Sequence, residues 1–574
     1  MQIEEIMAKN HKFAIAQINT KSGDIEFNAK KIIEKIKEVQ ENNIEVVVFP
    51  ELALVGVGLD DAVKRFPIIV EQNLIWLKEI AKMTTNTTAI IGFYDKDCQN
   101  SVAIISCGEI KQIINKSKPQ IVEILGLNFY ITIGEVFANN FDDEFDAIIN
   151  VCAKHTSINK ESLLNNNLSN IAKTFTKPVI YVDLVGATDS FVYDGLSRVF
   201  NKNGDLIDCA KFFEEDFVIF DPFNSAKSVI NKPSAQIQKG FSLDYGADLE
   251  RTYKTLVLGI KDYFAKIGFK RAVLGLSGGL DSTVCAVILA DALGPENVYG
   301  ISMPSKLTSQ ESKSDAEELA QNLKINFAQA SIKDMVNICD NNFQKLFSNI
   351  EKNWDCRYKQ SFTMDNIQAR SRAMYLWGIS NEFGSCLPIA TSDKSESYMG
   401  YATINGDMSG GVALIADVTK TKLFALARWL NKNRAQKNAI PESIILKKPG
   451  AELAIDPNTG KTLNAEDALM PYEFLDEIIF RIENNNETYE QMLNSKFLYE
   501  SKENISKEQK IQWLEKFYKR MSTSHYKWSI LPPAIITDDH SINPQIYSQP
   551  ITSSGINYKG LAGCELQQKI KIFS

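Results

Sequence analysis

Short apolar runs alternate with amphipathic stretches along the N-terminal part of the chain. The runs at 12–18 (KFAIAQI) and 44–52 (IEVVVFPEL) predict buried strands, and apolar residues at helical spacing predict a helix over 28–43 between them. Residues 195–207 predict a hairpin that turns at Asn203-Gly204. Many strands with few long helices indicate a layered α/β sandwich, with further strands predicted at 88–95, 101–106, 129–136, 147–152 and 178–186.

The pattern changes after residues 222–242, a polar and proline-containing stretch with weak periodicity that we predict to be a linker. Beyond it, long helical patterns alternate with short apolar runs such as 272–276. This alternation predicts a doubly wound parallel sheet with helices on both faces. We therefore expect an N-terminal domain over 1–221 and a C-terminal domain over 243–574.

Composition narrows the classes of protein that fit. The chain has 574 residues, of which 44% are apolar and 23% charged, and its formal net charge is −8, which disfavours a chain-wide nucleic-acid interface. No apolar run is long enough to predict a membrane span. Nine cysteines without a CxxC pair are typical of a reducing, cytoplasmic location.

A turn rich in glycine and serine follows the predicted strand 272–276, and it reads SGGLDS. The turn opens a predicted helix over 282–293, and a helix N-terminus offers unpaired N–H groups to an anion. Glycines let the backbone approach a phosphate closely, and serine hydroxyls add donors. A carboxylate at this place, Asp281, fits a phosphate only if a divalent cation lies between them.

The SGGLDS turn resembles the pyrophosphate-binding loop of the N-type ATP pyrophosphatases. Three later stretches narrow the resemblance to NAD synthetases: NIQARSR at 366–372, TSDKSE at 391–396 followed by GYATINGD, and KPGAELAIDP from 448. HYKW at 525–528 is similar to the C-terminal Tyr-Lys-Arg of that family, with Trp528 in place of the arginine. At 392–393 Ser-Asp stands where the family pattern has Gly-Asn.

The resemblance implies an ATP-dependent amidation of deamido-NAD (nicotinic acid adenine dinucleotide), through an acyl-adenylate, with Mg²⁺ as the cofactor. Asp281, Ser277 and Lys420 would be catalytic, and Asp281 and Glu396 would hold the metal. ATP would be bound by Ser277, Gly278, Gly279, Asp281, Ser282, Thr391 and Lys420. Deamido-NAD would be bound by Asn366, Arg370, Glu396, Asp407 and Lys527. The family also implies a homo-oligomer.

The N-terminal part resembles the nitrilase-like glutaminase domain that is fused to some NAD synthetases, through VVVFPELALVG at 46–56 and YVDLVGATDSFVYDGLS at 181–197. That family needs a glutamate, a lysine and a cysteine. The resemblance implies Glu51 for the first, Lys116 or Lys118 for the second, with Lys118 preferred, and Gly134 at the position of the cysteine. Because glycine carries no nucleophile, no thioester can form there, and we expect free ammonia to be the nitrogen donor.

Other readings stay open from the sequence. An active glutamine-dependent enzyme would need another thiol, and Cys152 and Cys107 are the candidates. A different N-type pyrophosphatase, making asparagine, GMP or a modified tRNA base, fits the TSDKSE and NIQAR stretches less well. A third reading is a non-catalytic nucleotide-binding protein, which the intact SGGLDS turn and Glu396 argue against.

Overall fold

The computed structural model describes residues 10–134, 144–224, 240–305, 308–353, 363–448, 450 and 465–541. The chain separates into two compact units, Met1–Gln238 and Lys239–Ser574. The division falls within the predicted linker, of which only 222–224 and 240–242 are among the described residues.

The described residues of the first unit form two six-stranded sheets and a two-stranded ribbon. The sheet orders are β14-β1-β2-β3-β4-β5 and β13-β12-β9-β8-β7-β6, and β10 pairs with β11 in the ribbon. The strands are β1 Phe13–Gln17, β2 Val46–Val48, β3 Thr88–Tyr94, β4 Asn100–Ser106, β5 Glu109–Asn115, β6 Gln120–Ile124, β7 Leu127–Ile133, β8 Ala147–Cys152, β9 Val179–Asp183, β10 Val185–Thr188, β11 Phe191–Asp194, β12 Arg198–Phe200, β13 Leu206–Cys209 and β14 Asp216–Phe220. The helices are α1 Ile25–Glu41, α2 Asp60–Arg65, α3 Pro67–Met83 and α4 Lys160–Phe175.

Alternation along the strands explains why the two sheets stack. Phe13 of β1 and Phe129 of β7 belong to one apolar cluster between the sheets, whereas Ala14 faces the other way and packs with Ile32 of α1. Cys152 of β8 packs with α4 in a third cluster. Successive side chains of a strand point to opposite faces, so each sheet has one face on its partner and one on a helix. The result is an α-β-β-α sandwich, in agreement with the layered α/β sandwich that the sequence predicts.

In the part of the second unit that the structure describes, one sheet has five parallel strands in the order β17-β16-β15-β18-β19. The strands are β15 Arg271–Gly275, β16 Val298–Ser302, β17 Asn326–Gln329, β18 Cys386–Ala390 and β19 Val412–Ala413. The helices are α5 Asp248–Ile267, α6 Leu280–Leu293, α7 Gln310–Leu323, α8 Lys333–Asn353, α9 Thr363–Phe383, α10 Lys394–Tyr398, α11 Lys420–Asn433, α12 Glu442–Leu446, α13 Ala465–Ala468, α14 Tyr472–Asn485, α15 Tyr489–Asn494 and α16 Lys507–Trp528.

The order of the second sheet reverses at β15, whose neighbours are β16 on one side and β18 on the other. In open parallel sheets the crevice at such a switch point, beyond the carboxyl ends of the strands, is where ligands bind. Helix α6 follows β15 through the SGGLDS turn and is buried along most of its length. The turns after β15 and β18 therefore lie side by side at this edge.

The predicted elements agree with the structure at most positions. The strand at 101–106 and the hairpin at Asn203-Gly204 are confirmed, the latter as β12 pairing antiparallel with β13. Helices α2 and α3 over 60–83 and the partly exposed strands β5 and β6 are not predicted from the sequence. Among the described helices, none has the length and apolar composition that crossing a membrane requires.

Candidate active site

Four charged side chains meet beyond the carboxyl ends of β15 and β18. Asp281 lies in the first turn of α6, while Asp393 caps α10 and Glu396 lies in its first turn. Lys420, the first residue of α11, places its Nζ 2.7 Å from an oxygen of Asp281, 2.7 Å from one of Asp393 and 3.0 Å from one of Glu396. We call these four residues the carboxylate cluster.

Burial makes the carboxylate cluster electrostatically unusual. Lys420 and Asp393 are 1% and 0% exposed. Burial raises the pKa of Asp393 and of Glu396, because the charged form loses water, and the Lys420 ammonium opposes that rise. Burial alone would lower the pKa of Lys420, but the three carboxylates together raise it well above its ordinary value. The lysine is therefore held as a cation.

Asp476 of α14 holds the backbone around Lys420 in place through Ser395 and Thr421. Its Oδ1 accepts a hydrogen bond of 2.5 Å from Ser395 Oγ, and its Oδ2 accepts from the N–H and hydroxyl of Thr421 at 2.8 Å and 2.7 Å. Ser395 Oγ in turn accepts from the Lys420 N–H at 2.9 Å. Asp476 thus joins α10, α11 and α14 in one buried network.

The SGGLDS turn lies beside the carboxylate cluster, with its polar groups arranged around a helix N-terminus. The hydroxyls of Ser277 and Ser282 lie 3.1 Å apart, and the Gly279 N–H donates to Ser277 Oγ at 3.1 Å. Gly278 has φ +74°, and a Cβ there would lie 2.2 Å from the carbonyl oxygen of Ser312. Only glycine fits this position, so the turn is held close to α7.

A second group of predicted residues gathers around the segment 400–407. Thr403 donates from its hydroxyl to Asn366 Oδ1 at 2.8 Å and from its N–H to Asp407 Oδ1 at 2.7 Å. Arg370 Nε donates to the Ile404 carbonyl at 3.1 Å. The segment therefore connects the residues that the resemblance assigns to deamido-NAD.

Lys527 of α16 joins the same segment from the C-terminal side. Its Nζ donates to the carbonyls of Gly400 and Ala402 at 2.8 Å and 2.7 Å. Burial lowers the pKa of Lys527 and raises that of Asp407, since each loses water around its charged form. Thr391 is half-buried directly after β18.

In the first unit the structure brings Glu51 and Gly134 together, at the end of β7. Glu51 is 5% exposed and accepts hydrogen bonds from Asn100 Nδ2 at 2.6 Å, Lys116 Nζ at 2.8 Å and the Ala153 N–H at 3.1 Å. A Cβ on Gly134, whose φ is +80°, would lie 2.9 Å from Lys116 Nζ and 3.9 Å from Glu51 Oε2. A side chain at 134 would thus project between the lysine and the glutamate.

The preference for Lys118 needs correction, because Lys116 is the lysine that contacts Glu51. Both lysines follow β5, and the Lys116 N–H donates to the Asn100 carbonyl, whereas the Lys118 N–H closes a turn onto the Asn115 carbonyl. The backbone of Cys152 contacts Glu51, whose N–H donates to the Cys152 carbonyl at 3.4 Å, but neither candidate thiol shares the place of a side chain at 134. Cys152 is buried in the cluster under α4, where burial raises its pKa, and Cys107 is exposed in the β4–β5 turn.

The predictions from sequence do not include Asp393 or Asp476 as site residues, and they give Lys116 only as the alternative to Lys118. Asp393 belongs to the TSDKSE stretch, where it departs from the family pattern. A signal was present, since a carboxylate at a helix N-cap directly after an inner parallel strand lies at the ligand-binding edge of the sheet. No sequence signal points to Asp476, because its partners become neighbours only through the packing of α14.

Each of the two units matches a known protein family. The carbon-nitrogen hydrolase family model matches residues 12–117, and the NAD synthase family model matches residues 252–521. The glutamine-dependent NAD(+) synthetase of Thermotoga maritima is 33% identical over 525 residues, covering 82% of this chain and 88% of the relative. That of Aquifex aeolicus is 34% identical over 518 residues, covering 81% and 88%.

Solved structures agree with these matches. The glutamine-dependent NAD+ synthetase from Acinetobacter baumannii, in complex with ADP, has a TM-score of 0.66 at 26% identity and covers 94% of this chain and 100% of its own. The protein from Cytophaga hutchinsonii has the same fold, with a TM-score of 0.77 at 21% identity and coverage of 95% and 98%.

The chain is therefore one of the proteins that fuse a nitrilase-like unit to an NAD synthase unit with a parallel sheet. Within that class, its identity to relatives over most of both chains shows that it belongs to the glutamine-dependent NAD synthetase family.

Proposed function

We propose that this chain is an NAD synthetase that converts deamido-NAD to NAD at the expense of ATP. The single observation that carries the proposal is the carboxylate cluster beside the SGGLDS turn, where a buried lysine and three carboxylates adjoin a helix N-terminus. Its relatives are named NAD(+) synthetases, and one structural neighbour is described in complex with ADP. Ser277, Gly278, Gly279, Ser282, Thr391 and Lys420 would hold ATP.

The reaction divides into two steps. A carboxylate oxygen of deamido-NAD attacks the α-phosphorus of ATP, and pyrophosphate leaves, which gives an acyl-adenylate. Ammonia then attacks the acyl carbon, a proton is lost, and AMP leaves. Both steps develop charge on phosphate oxygens, so fixed donors at the start of α6 and the Lys420 ammonium would stabilise them. Asn366, Arg370, Asp407 and Lys527 would orient the dinucleotide.

The carboxylate cluster fits a divalent cation. Oxygens of Asp281, Asp393 and Glu396 lie within 4.8 Å of one another, and hard oxygen ligands are those that Mg²⁺ prefers. Asp281 and Glu396 are the ligands that the family resemblance implies. Mg²⁺ held there would neutralise charge on the phosphates of ATP.

We further propose that the nitrogen donor is free ammonia. Gly134 has no side chain, and it stands where a nucleophile would project between Lys116 and Glu51. The backbone of Cys152 contacts Glu51, but its thiol packs under α4, and Cys107 is exposed on a turn, so neither thiol replaces a side chain at 134. Without a thioester, glutamine cannot release ammonia in this unit. The unit would then serve folding or assembly, in a homo-oligomer.

The names of the relatives favour a second candidate, an active glutamine-dependent enzyme. Steady-state NAD formation from deamido-NAD, ATP and Mg²⁺ separates the two when ammonium or glutamine is the only nitrogen source. The proposal expects turnover with ammonium and none with glutamine. Equal turnover with glutamine, lost on alkylation of a thiol, would establish the second candidate. Absence of pyrophosphate release with both ammonium and glutamine would exclude both candidate functions.

A further inference from the structure

Asp393 carries more negative charge than its structural role requires. Its Oδ1 caps α10 by accepting from the Glu396 N–H at 2.8 Å. An asparagine, which the family pattern has at this position, offers the same oxygen for a cap. The second oxygen, Oδ2, is fully buried, and the Lys420 ammonium at 2.7 Å is its one polar partner among the described residues. That oxygen is the one that distinguishes aspartate from asparagine here.

The charges of the carboxylate cluster do not balance. Among the described residues, Lys420 is the one cation that pairs with Asp281, Asp393 and Glu396, which leaves two negative charges in excess when all three are ionised. Buried charge without compensation is costly, so the excess requires a further cation or protons. A divalent cation matches this excess, and one oxygen from each of the three carboxylates lies within 4.8 Å of the other two.

We propose that Asp393 is a third carboxylate ligand of the divalent cation that the proposed function assigns to Asp281 and Glu396, and that Lys420 competes with this cation for the same oxygens. The inference rests on the proposed function for the identity of the site. In the absence of cation Lys420 holds the three carboxylates together. When the three carboxylates bind the divalent cation, the Lys420 ammonium loses its partners and becomes available to the phosphates of ATP.

Binding of Mn²⁺ to the full-length chain without nucleotide or dinucleotide tests this, with free Mn²⁺ followed by electron paramagnetic resonance. Asp393→Asn keeps the cap and removes the charge, and it should raise the Kd for Mn²⁺ by about tenfold or more. Asp393→Ser, which also retains a capping oxygen, should do the same. Lys420→Met removes the competitor and should lower the Kd.

The matched control is Glu473→Gln, which removes a partly exposed carboxylate of the same unit that pairs with Lys502. It should leave the Kd unchanged, so a loss in the Asp393 variants would not reflect net charge alone. Unchanged Mn²⁺ affinity in both Asp393 variants would overturn the ligand assignment. Unchanged or weaker binding in Lys420→Met would overturn the competition.

The readout separates this inference from the proposed function. Mn²⁺ binding is measured with no substrate present, so a chain that bound Mn²⁺ in the predicted pattern and made no NAD would contradict the proposed function alone. A chain that made NAD while both Asp393 variants bound Mn²⁺ normally would contradict the role of Asp393 alone.

Discussion

At the scale of single residues, Asp281 has the most direct chemical consequence. Its carboxylate lies at the N-terminal turn of α6 and contacts Lys420. If it holds the cation that neutralises the phosphates, Asp281→Ala should lower the kcat for NAD formation from ammonium by about 10²–10³-fold, since preorganised charge stabilisation is lost.

The control for Asp281 is available on the same helix. Asp291 also belongs to α6 but pairs with Arg434 instead of the carboxylate cluster. Asp291→Ala should retain the kcat of the parent in the same assay. A near-normal kcat in Asp281→Ala would contradict the assignment of Asp281 as a metal ligand.

Asp476 predicts a dependence of stability on pH. Burial raises its pKa from 3.8 to about 6, against the hydrogen bonds from Ser395 and Thr421. The folded chain therefore binds this proton more tightly than the unfolded chain. The resulting stabilisation is present below about pH 4 and is lost as pH rises through about 6. The pKa shift corresponds to about 3 kcal/mol in the free energy of unfolding.

Asp476→Asn removes this titration. Its Tm relative to that of the parent should rise between about pH 4 and about pH 7, because only the parent loses the stabilising proton. Thermal unfolding of both chains across this range measures the difference. A difference in Tm that stays constant with pH would show that Asp476 does not titrate in this window.

At the scale of elements, the SGGLDS turn depends on one backbone conformation. Gly278→Ala would place a Cβ 2.2 Å from the Ser312 carbonyl oxygen, at a φ of +74° that costs a residue with a Cβ about 1–2 kcal/mol. The turn must shift away from α7, and its N–H groups would no longer converge. ATP affinity, measured by calorimetry, should fall by about tenfold or more.

The neighbouring glycine provides the comparison. Gly279 has an ordinary φ of −101°, and a Cβ there would lie 3.1 Å from the Ser277 hydroxyl, the end of a small side chain. Gly279→Ala should therefore weaken ATP binding less than Gly278→Ala does. The reverse order would contradict the account of the turn.

Helices and strands were predictable wherever the local pattern of apolar residues was sufficient to determine them. The apolar run at 272–276 and the buried helix after it left no alternative to an inner strand and a helix, and both are observed as β15 and α6. Strand β5 was missed because its alternation leaves most of its residues at least partly exposed. The contact of Asp476 with Ser395 joins positions far apart in sequence, so no local pattern could reveal it.

At the scale of the whole molecule, the two units are predicted to differ in function. The second unit would carry the chemistry, while the first retains Glu51 and Lys116 around a position without a side chain. Lys116→Ala should therefore leave the kcat for NAD formation from ammonium unchanged, as measured in the same assay as Asp281→Ala. A large fall in that kcat would indicate that the first unit takes part in the reaction.

The origin of the amide nitrogen in NAD tests the central claim most directly. The full-length chain would be supplied with deamido-NAD, ATP, Mg²⁺, ¹⁵N-ammonium and an excess of unlabelled glutamine, and the NAD formed would be analysed by mass spectrometry. The account predicts that the amide carries ¹⁵N in all of the product. Unlabelled amide as the main product would show that glutamine is cleaved and would contradict it.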